Sequence, residues 1–190
     1  MLRFGRFSII AGIALIAAGC ISTPSPKYQP SISNTESLLK SAVKLRVGSF
    51  VAARGVEDKS LVIRGWQLEG GSDGTFGGYL REAAIKELQT ASAYEDAGEF
   101  SLTGTLTRNE LNASIKTGSA IVGAEFVLTR DHEIVFKKSL EARHEWESSF
   151  VGVVALDAAV ANYSVTVQKL LGKLFADEDF VAAARSKPSR

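Results

Sequence analysis

Apolar and polar residues alternate most cleanly from Phe100 to Thr107, where Phe100, Leu102, Gly104 and Leu106 are separated by Ser101, Thr103 and Thr105. A period of two predicts a strand with one buried and one wet face. The phase then changes to Leu111, Ala113 and Ile115, which predicts a bulge or break near Arg108 to Glu110. After a turn at Thr117–Gly118, the residues Val122, Ala124, Phe126 and Leu128 resume the alternation. Arg130-Asp131-His132-Glu133 reads as a tight connection into a last strand carrying Ile134, Phe136, Leu140, Ala142 and Trp146. Strands of this length joined by short turns predict an antiparallel meander.

Shorter signals precede it. Leu45, Val47, Ser49 and Val51 alternate as a strand, and Leu61 to Trp66 reads as a second one. The run Gly70-Gly71-Ser72-Asp73-Gly74-Thr75-Phe76-Gly77-Gly78 is expected to be a loop. A helix then carries Leu80, Ala84, Leu88 and Ala91 on one stripe, with Thr75 or Asp73 as its cap. From Val154 the period becomes helical. Leu156, Val160, Tyr163, Val167, Leu170 and Leu174 recur at alternating spacings of four and three, a seam expected to pack on the chain's own sheet, with a partner helix or a dimer as the alternative. Asp177 is the expected cap of a short terminal helix through Phe180 and Ala184. The fold class expected is α+β: a small, mostly antiparallel sheet against two main helices, in the order strand, loop, helix, meander, helix.

The first twenty residues follow another grammar. Arg3 and Arg6 precede an apolar run from Phe7 to Ala18, which ends in Ala17-Ala18-Gly19-Cys20. A basic flank, a short apolar segment and small residues before a break describe a signal peptide. Ile16-Ala17-Ala18-Gly19-Cys20 resembles a lipobox, the motif cut by lipoprotein signal peptidase, which implies acylation of Cys20. Because Cys20 is the chain's one cysteine, acylation would remove disulfides, thiol catalysis and Cys-ligated metals together. Ile21 follows, where aspartate would favour inner-membrane retention. The resemblance therefore implies the periplasmic face of the outer membrane.

The expected organisation is a signal peptide at 1–19, a lipidated Cys20 with a flexible Pro/Ser tether over 20–43, one α+β domain at 44–184, and a disordered tail at 185–190. Such a tether would span on the order of 25 Å. Formal net charge is +1, and the mature chain loses Arg3 and Arg6, which leaves 20 basic against 21 acidic residues. That balance lacks the basic footprint a nucleic acid needs.

Candidate chemistry is sparse. Gly70-Gly71-Ser72-Asp73-Gly74 matches the G-x-S-x-G nucleophile pattern, and Asp131 and His144 follow in the chain order of such hydrolases. A loop this rich in glycine matches short glycine patterns easily, and the elbow requires a parallel sheet. His132-Glu133 and His144-Glu145 begin zinc-like patterns, but Phe136 and Ser148 stand where second histidines belong. No metal or cofactor is expected, and no catalytic set. His144 shares the inward parity of Ala142 and Trp146, and His132 falls in the turn.

The order of elements behind a lipobox resembles the YajG-like family of bacterial lipoproteins. The carrying segments are Lys44 to Phe50, Tyr79 to Leu88, Gly104 to Arg108 and the alanine-rich last helix ending Asp179-Phe180-Val181. The architecture is also similar to LPS-assembly lipoproteins and to auxiliary lipoproteins of lipid-transporting ABC systems. These resemblances imply a non-enzymatic binding or scaffold subunit, held on the membrane through Cys20. An envelope protein would be its partner, met at the meander's edge or at the Gly70–Gly78 loop. The rival expectation is a lipid or glycan carrier, with Trp66, Phe76, Tyr79 and Trp146 near its pocket.

Overall fold

The computed structural model describes residues 22–185. The signal peptide, Cys20 and residues 186–190 lie outside the described residues. In chain order the elements are β1 (Ser22–Thr23), α1 (Ile32–Ser41), β2 (Arg46–Ala52), β3 (Ser60–Ile63), β4 (Trp66–Glu69), α2 (Phe76–Thr90), β5 (Phe100–Ala113), β6 (Lys116–Arg130), β7 (Glu133–Ser148), α3 (Gly152–Phe175) and α4 (Glu178–Arg185).

A four-stranded sheet in the order β2-β5-β6-β7 carries the meander, and β2 joins it parallel to β5. The fold is the expected α+β class. The bulge is present: register shifts between Leu106 and Arg108, so Asn109, Leu111 and Ala113 take over the inward face. The β6–β7 connection is a two-residue turn with both Asp131 (φ 50°) and His132 (φ 70°) left-handed, the geometry that matches strand twist.

α2 packs on β2, while α3 lies across β6 and β7. Between them sit Tyr79, Leu80, Phe126, Leu128, Tyr163 and Val167, all buried. Tyr163 stacks edge-on to Phe76 at 5.2 Å, and its hydroxyl donates to Asn109 Oδ1 at 2.8 Å. Burial pushes its hydroxyl pKa well up. The α3 seam is buried apart from the half-buried Val160. The sheet's other face is polar, where Arg108 pairs with Glu110 and Glu141, and Glu125 with Lys137.

Five expectations change. The turn expected at Thr117–Gly118 falls earlier, at Ser114–Ile115, and Thr117 and Gly118 are both paired within β6. Leu61 to Trp66 is not one strand: Arg64 (φ 49°) and Gly65 (φ 84°) turn the chain, and β3 pairs antiparallel with β4 in a separate small sheet. Along β2 the register shifts between Val47 and Phe50, so Phe50 is buried and Val51 exposed, against the simple alternation. A similar shift after Leu128 leaves Ile134 exposed.

The largest difference concerns residues 22–43, expected as a free tether. Ser22 and Thr23 pair parallel with Gln67 and Leu68, and Ser25 Oγ donates to the Glu69 carbonyl. Residues 32–41 form α1, which packs on α3 and α2. Its buried residues are Asn34, Leu38 and Ser41, so polar partners rather than apolar area hold much of it. Glu87 on α2, fully buried, supplies them. Its Oε1 accepts from Tyr28 Oη at 2.6 Å, Asn34 Nδ2 at 2.8 Å and the Ser31 amide at 3.0 Å. Burial, reinforced by the hydrogen bond to Glu87, pushes the Tyr28 hydroxyl pKa far above its ordinary value. Arg185, at the end of α4, closes the other side by donating to the Lys40 carbonyl at 2.9 Å.

Candidate functional site

The glycine loop is built around its own helix. Asp73 Oδ1 accepts from the Thr75 amide at 2.9 Å and its hydroxyl at 2.8 Å, while Thr75 Oγ1 accepts from the Gly78 amide at 2.9 Å. Of the two expected candidates, Thr75 is thus the cap, and Asp73 braces it. The other first-turn amides are also engaged: Phe76 with the Asp58 carbonyl, Gly77 with Asp58 Oδ1, and Tyr79 with the Thr75 carbonyl. An anion would find no orphan donor there.

The glycines answer to close approach. A Cβ on Gly70 would stand 2.4 Å from the Thr75 backbone, and one on Gly78 would stand 2.1 Å from the Asp73 carboxylate. Gly77 and Gly78 are the first residues of α2 after Phe76, not loop, and Phe76 is core. Gly71 likewise abuts the Tyr79 backbone, while Gly74 supplies a left-handed φ of 77°.

Ser72 donates to the Glu82 carboxylate, an exposed pair on the loop and α2. His144 is engaged elsewhere: Lys169 Nζ donates to its Nδ1 at 2.8 Å, which leaves Nε2–H to donate to Asn162 Oδ1 at 2.8 Å. Asp131 lies in the β6–β7 turn. The structure does not bring Ser72, Asp131 and His144 together. A fluorophosphonate probe is expected to react with the wild type no more than with Ser72→Ala. Labelling lost in the variant would reinstate a serine nucleophile. Among the described residues, no group of three or more His, Cys, Asp or Glu side chains is placed to hold a metal ion.

A different feature does converge. Where α1, α3 and the outer strand β7 meet, an open groove of about 630 Å³ is walled by Arg143, Lys169, Lys173, Gln168, Ser33 and Ser37. Its floor is apolar, from Ala142, Val165, Gly172 and Ala176, and no carboxylate lines it. Asn34 sets the width by donating from Nδ2 to the Gln168 carbonyl at 2.9 Å. A Cβ on Gly172 would approach Asn34 Oδ1 to 2.7 Å, so a glycine lets α1 seat this close to α3. Lys173 Nζ donates to the Glu141 carbonyl at 2.7 Å, and Arg143 Nη2 pairs with Glu145 at 2.6 Å. A lysine ammonium carries three N–H groups, so the bonds of Lys169 to His144 Nδ1 and of Lys173 to the Glu141 carbonyl position both lysines without exhausting them.

The sequence held a signal for this groove in the i, i+4 pair Lys169 and Lys173. It flanks the apolar seam, and reading the seam alone passes over it. Trp66 and Trp146 line none of the described pockets, and Phe76 and Tyr79 belong to the core.

No family model matches the chain, and no curated protein does. A solved structure is similar to it in fold. A Xanthomonas campestris protein of family DUF330 superposes with a TM-score of 0.51 at 14% identity, over 82% of this chain and 90% of that one. A Caulobacter crescentus protein, described provisionally as a lipoprotein, matches over 82% of this chain and 98% of its own at 14% identity and a TM-score of 0.47. The likeness is one of fold among bacterial proteins and does not single out the YajG-like family.

Proposed function

We propose that the chain is a bacterial lipoprotein of YajG-like kind, acylated on Cys20 at the periplasmic face of the outer membrane. There it acts without catalysis as an accessory subunit that binds an envelope protein in assembly or transport. The observation that carries this reading is the α1–α3–β7 groove, where Lys169 and Lys173 stand at an opening with no lining carboxylate. An acidic segment of a partner suits it, because opposed charge steers encounter and rejects wrong partners. The glycine loop supports the reading less well, since its amides and its glycines are committed to α2.

The apolar floor gives the carrier reading its one support, an amphiphile with an anionic head. The test separates the two. A photo-crosslinking residue at Ser33 in intact cells is expected to capture a protein, and Lys169→Glu with Lys173→Glu to reduce capture about tenfold. Capture of lipid or glycan alone would favour the carrier. Undiminished protein capture in the charge-reversed chain would remove the groove from the proposal.

A further inference from the structure

One end of the molecule gathers apolar side chains that the core does not use. Phe150 is 80% exposed, and Val151, Val153 and Val154 beside it in the entry to α3 are each more than half exposed. Ile115 in the β5–β6 turn and Val62 on β3 are likewise exposed. Arg64 ties the three segments together. From the β3–β4 turn its guanidinium donates to the Ala113, Ser149 and Phe150 carbonyls, the last two at 3.0 and 3.3 Å. Val62, Arg64 and Ile115 also line one shared hollow. Scattered surface hydrophobics need no explanation, but a tied cluster at one end marks a contact surface.

The course of the N-terminal segment says what it meets. β1 runs parallel to β4, with Ser22 opposite Gln67 and Thr23 opposite Leu68. Ser22 therefore stands near the Trp66 end of β4, beside the Arg64–Gly65 turn and at the same end as the apolar cluster. Cys20 lies two residues before Ser22, and two residues reach at most about 7 Å. With Ser25, Tyr28 and Ser31 fastened to the domain, little slack remains for the domain to stand off.

We propose that the apolar end formed by Val62, Ile115, Phe150, Val151, Val153 and Val154 rests in the lipid surface to which Cys20 is anchored. The acyl chains and this patch together form a two-point attachment that fixes the domain's orientation. Interfacial binding of this kind scales with buried apolar area and seats side chains about 5 Å into the headgroup boundary. The inference rests on acylation of Cys20 but not on the groove or its partner.

Acylation makes the test clean, because an introduced cysteine is then the one free thiol. Full-length acylated protein carrying Phe150→Cys, and separately Val153→Cys, is spin-labelled in vesicles of phosphatidylethanolamine and phosphatidylglycerol. Ile134→Cys, exposed beside the β6–β7 turn, serves as the distal control. The labels at 150 and 153 are expected to collide more with oxygen than with a water-soluble nickel chelate, and the label at 134 the reverse. Nickel accessibility at 150 and 153 equal to that at 134 would overturn the proposal. So would shielding from both reagents with spin–spin broadening, which would put a second copy on the patch. Label uptake by the wild-type chain would expose a free Cys20 and bring down the anchor reading, and this inference with it, by its own signature.

Discussion

Glu87→Ala is expected to lower the unfolding free energy by roughly 3 kcal/mol and to loosen residues 22–43 before the rest of the chain. Three donors converge on its Oε1, from Tyr28, Ser31 and Asn34, and none can turn to water without α1 lifting away. Each buried donor left unpaired costs about 1–3 kcal/mol. The sum is not reached, because a buried carboxylate is itself expensive and its Oε2 has no hydrogen-bond partner. Glu87→Gln keeps an acceptor in place and is expected to cost about 1 kcal/mol, less than half of the alanine loss. Urea denaturation reads the magnitude. Hydrogen exchange reads the order, with α1 amides in the alanine variant losing protection while the β5–β7 amides keep theirs. If α1 exchange were unchanged in Glu87→Ala, the carboxylate would not be what holds the segment.

The same residues explain why α1 escaped the sequence. A helix is read from apolar periodicity, and α1 buries Asn34 and Ser41 alongside a single leucine, Leu38. Its stabilising partner is 53 residues away in the chain, beyond any local pattern. The meander was legible because its buried face is apolar and its turns are short. Thr75 and Asp177 were legible as caps because capping is local chemistry, and Asp177 Oδ1 does accept from the Phe180 amide at 3.1 Å. The β3–β4 turn was missed because Arg-Gly stands where Asn-Gly or Asp-Gly would announce two left-handed residues. The groove was invisible for a similar reason. Arg143, Lys169 and Ser33 come from three elements, and only the packing of α1 against α3 brings them to one opening.

Gly104→Val is expected to cost about 3 kcal/mol, although valine favours strands and the position is central in β5. The register places Gly104 between Phe50 on β2 and Phe126 on β6. The two rings lean across it, 6.3 Å apart and inclined by 65°. A Cβ would stand 2.4 Å from the Phe50 ring, which is buried. The glycine is therefore a hole that aromatic neighbours fill, and its alternation with Leu102 and Leu106 is real. Phe50→Ala alone should cost about 3–5 kcal/mol through the cavity it leaves. Together the two changes partly cancel, because the valine occupies space the ring has vacated, so a coupling of about 1–3 kcal/mol is expected from denaturant unfolding of the four chains. Additive losses would mean that the ring does not depend on the glycine. The backbone of Phe50 cannot simply retreat in the single variant either. Its carbonyl already lies 3.1 Å from where a Cβ on Gly77 would be, so a shift of β2 presses on the first turn of α2. Strain introduced at Gly104 should consequently speed exchange of the Gly77 and Gly78 amides, whose caps Asp58 and Thr75 depend on that spacing.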